Sequence, residues 1–223
     1  EKVDFLKIRG SWASVGMPFA RFIANPTYAW NNSTGAWETA KSYPIYDLKP
    51  EKTNSWEVGL DMRLFRKRLN LDIAYYNTIT KDILSRIPVS KSTGVGYLYF
   101  NAGKIQNQGV EIAVNGTVVK TNDIEFKLNA NWSLNRNEVL ELAEGIDNWQ
   151  LASYSTYGYM YASVGHSLTS MFGTKYKRAP EGSYAMDPSG KVTDVSGALV
   201  LNSNGSPQID NEIVYIGDTA PKW

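Results

Sequence analysis

The run Ser55-Trp56-Glu57-Val58-Gly59-Leu60-Asp61-Met62-Arg63-Leu64 is followed by Phe65-Arg66-Lys67-Arg68 and then by Leu69-Asn70-Leu71-Asp72-Ile73-Ala74-Tyr75-Tyr76-Asn77-Thr78. In the first run Trp56, Val58, Leu60, Met62 and Leu64 alternate with Glu57, Gly59, Asp61 and Arg63. After the basic turn the pattern restarts, with Leu69, Leu71, Ile73 and Tyr75 set against Asn70, Asp72, Ala74 and Tyr76. Period-two alternation describes a strand with one apolar and one wet face. Ten residues at ~3.3 Å each, tilted by ~40°, rise roughly 25 Å, the height of an outer-membrane apolar band. A strand of a water-soluble sandwich needs only about 5–6 residues. Carboxylates and arginine on the wet face are costly in a closed core and suit a barrel lumen or open solvent.

The same pattern recurs on both sides of this hairpin. Residues 5–16 alternate through Leu6, Ile8 and Trp12, and residues 108–118 through Val110, Ile112 and Val114. The cleanest run is residues 124–135, where Ile124, Phe126, Leu128, Ala130, Trp132 and Leu134 alternate with polar residues without a miss. Between them, residues 17–54 and 80–104 lose the period and read as long loops. A short helical turn is expected at 138–143, and short strands at 198–201 and 212–216 in a tail rich in Gly, Ser, Asp and Asn. Connections thus alternate long and short, as in barrels with tight periplasmic turns and extended outer loops. The expected fold is all-β: an antiparallel up-and-down segment of a large transmembrane β-barrel with long extracellular loops. The alternative is a soluble or surface-attached all-β glycan-binding module in which the same apolar faces form a core.

Composition removes several function classes. Twenty-three basic against 22 acidic side chains leave a net charge of +1, which argues against nucleic acid as a partner. The chain has no cysteine, and its single histidine, His166, offers little for triad or metal chemistry. No catalytic residue, metal ligand or cofactor is assigned, and the chain is not expected to be an enzyme. No stretch approaches the ~20 apolar residues of a membrane-spanning helix, which leaves a membrane barrel open. Glu1-Lys2-Val3-Asp4 precedes the first strand with no apolar signal region.

Three blocks carry a family resemblance. They are Leu48-Lys49-Pro50-Glu51-Lys52-Thr53-Asn54-Ser55-Trp56-Glu57-Val58-Gly59-Leu60-Asp61, then Asp72-Ile73-Ala74-Tyr75-Tyr76-Asn77 with Lys81-Asp82-Ile83-Leu84, and Asn101-Ala102-Gly103-Lys104-Ile105 with Asn107-Gln108-Gly109-Val110-Glu111. With Gly217-Asp218-Thr219-Ala220-Pro221-Lys222-Trp223, they resemble the C-terminal barrel portion of SusC/RagA-type TonB-dependent transporters of Bacteroidetes outer membranes. The resemblance implies a bacterial outer-membrane location and import of oligosaccharides or peptides. It also implies partnership with a SusD-like surface lipoprotein, and contact with the TonB complex through segments absent here. On that reading residues 1–223 are a fragment of a single barrel domain, with the plug and early strands absent, and Trp223 is a cut boundary.

Candidate site residues follow from residue type and place. Trp30 and Trp37 in the first long loop, and Trp149, Tyr154 and Tyr157 in the third, are substrate-binding candidates, because aromatic faces stack on the CH-rich face of a pyranose. For any single residue loop–loop packing or girdle contact is the commoner explanation, as it is for Tyr43, Tyr46, Tyr159 and Tyr161 beside them. Trp12, Trp56, Tyr75 and Trp132 lie on apolar faces near expected strand ends and read as a lipid-facing girdle. Glu57, Asp61 and Arg63 are spread along one strand face, which suits a lumen wall better than acid–base catalysis. Arg66-Lys67-Arg68 is read first as a solvated turn flank, the alternative being attraction of anionic lipid headgroups or periplasmic partners. Asn202-Ser203-Asn204-Gly205-Ser206-Pro207 sits where the family often has a calcium loop. It lacks the first Asp and the Gly, so calcium is not expected, and Asp187-Pro188-Ser189-Gly190 is read as a turn.

Overall fold

A computed structural model describes residues 2–23, 27–38, 42, 47–93, 95–154 and 158–221. In chain order its strands are β1 (Val3–Met17), β2 (Ala29–Asn31), β3 (Ala36–Glu38), β4 (Glu51–Leu64), β5 (Leu69–Lys81), β6 (Leu84–Pro88), β7 (Tyr97–Asn101) and β8 (Gly103–Lys120). They continue with β9 (Glu125–Leu142), β10 (Asn148–Ser153), β11 (Gly158–Ser163), β12 (Ser170–Tyr176), β13 (Tyr184–Met186), β14 (Val192–Asp194) and β15 (Ile209–Asp218). The chain divides into two compact units. One comprises Glu1–Asn148, Ser163–Ser167 and Pro221–Trp223, the other Trp149–Ala162 and Leu168–Ala220.

The first unit is built on one antiparallel sheet in the order β1-β4-β5-β8-β9, with β1 and β9 as its edges. Its register carries the alternation across all five strands. Ile8, Leu60, Ile73, Ile112 and Trp132 form one row, and Lys7, Asp61, Asp72, Ala113 and Asn131 the next, on the opposite face. Register shifts fall only near strand ends, at Val3/Phe5, Lys104/Ile105 and Thr117/Val119, so the faces never exchange in the middle of the sheet. The apolar face is uncovered: Ile8 is 73% exposed, Val58 50% and Leu128 56%. In this unit the buried apolar residues are Ala74, Ala102 and Val139. A sandwich would hold Val58, Phe126 and Leu128 in its interior, so the core required by the soluble-module alternative does not form among the described residues.

Strand ends depart from the sequence reading. The helical turn expected at 138–143 is strand, because β9 runs on to Leu142. Its last turn-forming option is overridden by tertiary bonds: Val139 N–H donates to His166 O at 2.9 Å, Gly165 N–H donates to Val139 O at 2.9 Å, and Val139 is fully buried. Consequently Trp132 lies mid-strand rather than near a strand end. Both long loops contain hairpins, β2–β3 in the first and β6–β7 in the second. β15 includes residues 212–216, whereas 198–201 is held by isolated bridges from Leu199 to Arg178 and Leu201 to Pro207.

Two short turns close the β4–β5 and β8–β9 hairpins. The first places Phe65 (φ 55°), Arg66 (φ 59°) and Lys67 (φ 62°) in the left-handed region, where Cβ crowds the following carbonyl. The Asp4 carboxylate accepts the Lys67 N–H at 2.9 Å, and Lys2 O accepts the Phe65 N–H at 3.1 Å. In the second, Thr121 N–H donates to Ile124 O at 2.8 Å and Thr121 Oγ1 accepts the Ile124 N–H at 3.0 Å.

The second unit holds the sheet β10-β11-β12-β15 and the hairpin β13–β14. Its buried apolar residues are Ala162 and Phe172. Side-chain-capped turns shape its tail. Asp187 accepts from the Ser189 N–H (2.9 Å), the Ser189 hydroxyl (2.6 Å) and the Lys191 N–H (3.0 Å). The loop from Asn202 closes with Asn202 Nδ2 donating to Ser206 Oγ at 3.0 Å.

Candidate functional site

The polar face of the five-stranded sheet is where charged chemistry gathers. Arg9 on β1 donates two bonds to Asp72 on β5, Nη1 to Oδ2 at 2.9 Å and Nη2 to Oδ1 at 2.7 Å. To do so it crosses the intervening strand β4, where its register partner is Gly59. A Cβ on Gly59 would lie 2.5 Å from Arg9 Nε and 2.9 Å from its Cγ, so only glycine lets the side chain lie flat there. Arg9 Nε also stands 3.5 Å from Glu57. The guanidinium thereby compensates a like-charge pair, because Asp61 and Asp72 are direct cross-strand partners.

A second crossing uses the same geometry. Tyr76 on β5 lies over Gly109 on β8 and donates its hydroxyl to Asn135 Oδ1 on β9 at 3.2 Å. A Cβ on Gly109 would meet the Tyr76 hydroxyl at 2.6 Å, and the Leu134 carbonyl closer still. Farther along, Asn137 Nδ2 donates to Asn107 Oδ1 at 2.9 Å. Beside Arg9 a shallow depression of ≈ 450 Å³ is lined by Asp72, Ala74, Glu111, Asn131 and Ser133. Asp72 is engaged by Arg9, and the carboxylates and amides are spread along a wall and do not converge on one reacting atom.

The motif Asn101-Ala102-Gly103 marks where the long strands hand over to the outer hairpin. Asn101 Nδ2 donates to Lys49 O (2.8 Å) and Asp82 O (2.7 Å), while its Oδ1 accepts the Lys49 N–H (2.9 Å). One amide side chain thus ties the approach to β4 to the end of β5. Ala102, 3% exposed, donates its N–H to Ile83 O at 2.7 Å and accepts from Ala143 N–H at 2.9 Å. Gly103 (φ +145°) passes so close to the Glu141 carbonyl that no side chain fits.

The aromatic candidates separate into groups. Trp30 and Trp37 are cross-strand partners in the β2–β3 hairpin, their rings edge-to-face at 5.6 Å and both exposed. Asn31 Nδ2 bonds Glu38 Oε1 at 2.6 Å beside them. Trp149 lies on β10 of the other unit, followed by the exposed Tyr154; Tyr157, Tyr43 and Tyr46 lie outside the described residues. Of the girdle candidates, Trp12 and Trp56 are register partners, and the Trp56 and Tyr75 rings are 5.3 Å apart. Trp132 shares their face four residues farther from the long-loop end, opposite Ile112. Sequence reading missed one group: Phe172 joins Tyr161 and Tyr215, each at 5.7 Å, across β11, β12 and β15. No local period announces that row, since it depends on strand pairing.

A single-layer sheet with an exposed apolar face and a charged, cross-tied polar face is the wall of a transmembrane β-barrel. The chain belongs to the TonB dependent receptor-like β-barrel family, whose model matches residues 3–214. It is accordingly an outer-membrane protein. It is 30% identical over 178 residues to TonB-dependent receptor P39 of Formosa agariphila, covering 78% of this chain and 16% of that one. It is 28% identical over 157 residues to TonB-dependent receptor SusC of Bacteroides thetaiotaomicron, covering 64% of this chain and 15% of that one. Its fold matches the structure of the RagAB peptide transporter with a TM-score of 0.69 at 20% identity, over 97% of this chain and 24% of that one. The chain therefore spans less than a quarter of the length of each of these proteins.

Proposed function

We propose that this chain is a wall-and-loop segment of a TonB-dependent outer-membrane importer of oligosaccharides or peptides that works with a SusD-like surface lipoprotein. The observation that carries the reading is the unbroken two-faced register of β1-β4-β5-β8-β9. The apolar rows meet lipid, and the rows holding Arg9, Glu57, Asp72 and Glu111 face the lumen. The peptide alternative for the cargo draws on the name of the RagAB peptide transporter, and the SusD-like partner on similarity to SusC. Contact with the TonB complex belongs to other segments of the full-length protein.

Trp30 and Trp37 are the substrate-stacking pair in this proposal, with Trp149, Tyr154 and Tyr157 as further candidates. Trp12, Trp56, Tyr75 and Trp132 are the lipid-facing girdle. Across four strand spacings of ~4.8 Å a register row tilted by ~40° changes height by roughly 12 Å, about the rise of four residues along a strand. A tilt that raises the β9 end brings Trp132 level with Trp12 and Trp56. On this reading the segment does no chemistry of its own: Arg9 engages Glu57 and Asp72, and the remaining carboxylates are dispersed along the wall.

The test is uptake. Cells lacking the full-length gene are complemented with wild type or with Trp30→Ala/Trp37→Ala and supplied with labelled oligosaccharides and labelled peptides. The proposal expects TonB-dependent uptake of one cargo class, weakened at limiting concentration by the double substitution. Uptake of neither class, or uptake indifferent to TonB, sinks it.

A further inference from the structure

The β4–β5 turn spends conformational energy on side chains that the turn itself does not need. Three consecutive residues, Phe65, Arg66 and Lys67, hold φ of 55°, 59° and 62°, a region glycine or asparagine enters far more readily. All three are exposed, as is Arg68. Strain of this kind persists where the surrounding structure enforces it and the residues have a task. Here the enforcement is visible in Asp4 on the Lys67 N–H, Lys2 O on the Phe65 N–H, and Arg68 O accepting the Thr117 N–H at 2.7 Å.

The charges of this end are unbalanced. None of the ion pairs among the described residues includes Lys2, Arg66, Lys67 or Arg68, which gather at one end of the sheet. The carboxylates at this end are Asp4, bonded to a backbone N–H, Glu125, shared by Lys120 and Lys127, Asp123 on the neighbouring turn, and Asp61 and Asp72, which line a polar-face depression with Arg63 and Lys67, Asp72 being already held by Arg9. Immediately inside the cations stands an apolar fringe, with Phe65 51% exposed and Ile124, Phe126 and Val118 exposed beside the second turn. Short turns of such barrels lie on the periplasmic side. Apolar side chains followed at once by unpaired cations are the chemistry of a bilayer interface carrying phosphate headgroups.

We propose that the Phe65-Arg66-Lys67-Arg68 turn, with Lys2, is an anchor for anionic glycerophospholipid headgroups in the periplasmic leaflet, Phe65 entering the acyl boundary and the cations meeting the phosphodiesters. The inference rests on membrane embedding alone and is independent of the imported cargo. A solvated turn would keep the same loop length with glycine and lose nothing.

The test uses the full-length protein in vesicles of phosphatidylcholine with phosphatidylglycerol, reading the relative association of spin-labelled phosphatidylglycerol over spin-labelled phosphatidylcholine. Wild type should prefer phosphatidylglycerol, and Arg66→Gln/Lys67→Gln/Arg68→Gln should lose roughly ten-fold or more of that preference. Raising salt should erode it in wild type and leave the variant unchanged. A second variant, Arg66→Gly, relieves the backbone and should raise the thermal midpoint while lowering the preference. Wild type without preference for phosphatidylglycerol, or variants that keep it, would overturn the proposal.

Discussion

Leu60→Lys and Ala113→Lys place the same charge on opposite faces of the sheet, one register row apart, and should differ sharply. On β4 the apolar set runs from Trp56 to Leu64. From the first to the last of those nine positions, eight rises of ~3.3 Å tilted by ~40° span roughly 20 Å, and Leu60 at their centre lies roughly 10 Å from either end. Its cross-strand partners are Ile8 and Ile73, so a lysine there finds no anion within its row. At that depth the cost should be ~2–4 kcal/mol. Ala113 instead faces Asp72 and Asn131 across the strands and lies beside Glu111 in the polar depression. A lysine there should change stability by less than about 0.5 kcal/mol. The assay is urea unfolding of the full-length protein in lipid vesicles, followed by tryptophan fluorescence and by heat-modifiable gel mobility. Equal tolerance at the two sites, or a greater cost at Ala113, would refute the assignment of faces.

Gly109→Ala should destabilise by ~2–3 kcal/mol, since the new Cβ meets the Leu134 carbonyl and the Tyr76 ring. Tyr76→Phe, which removes the hydroxyl bond to Asn135, should cost no more than ~1 kcal/mol in the same assay. Gly59→Ala should lower the unfolding midpoint in wild type by displacing Arg9, and leave it unchanged or raised in an Arg9→Ala background; a double-mutant cycle reads the coupling. In the loop unit, the Ser189 hydroxyl, followed by the Lys191 amide, holds the Asp187 carboxyl below the usual carboxylate range. Its contribution to loop order is therefore full above the ordinary aspartate pKa of ~3.9 and lost only as pH falls through the depressed folded value. A carboxyl-detected NMR titration of Asp187, with amide exchange at Ser189 and Lys191, checks the direction.

What the sequence disclosed is what period two encodes locally. The alternation at 55–64, 69–78 and 124–135 assigned residues to faces correctly, because each strand's pleat fixes the side of every residue without reference to its neighbours. It could not give register beyond the hairpin turns, so Arg9 reaching Asp72 across Gly59 was invisible, as were the Phe172 contacts. Asn101 seemed a motif residue of unstated purpose; its partner Lys49 is far away in sequence. The helical reading of 138–143 failed for a related reason. Glu138-Val139-Leu140-Glu141-Leu142 carries apolar residues at a spacing compatible with either period, and the deciding bonds come from Gly165 and His166. The hairpins β2–β3 and β6–β7 are too short to print a period at all.

The two glycine crossings explain how such a wall stays stiff with one layer. A sandwich resists shear between strands through a packed second sheet, but here the polar side must stay open to solvent and the apolar side to lipid. Backbone ladders alone join nearest neighbours. Arg9 and Tyr76 each skip a strand, tying β1 to β5 and β5 to β9, and between them reach both edges of the sheet. A tie of this kind must lie flat, or it would fill the lumen, and it lies flat only where the strand beneath has no Cβ. Gly59 and Gly109 occupy those two positions. Elsewhere glycine weakens a strand interior; here its missing side chain is the seat for a neighbour's, and the local loss is offset by lateral bonds spanning three strands. The polar face is thus braced by the same charged, phenolic and amide groups that it presents to its surroundings.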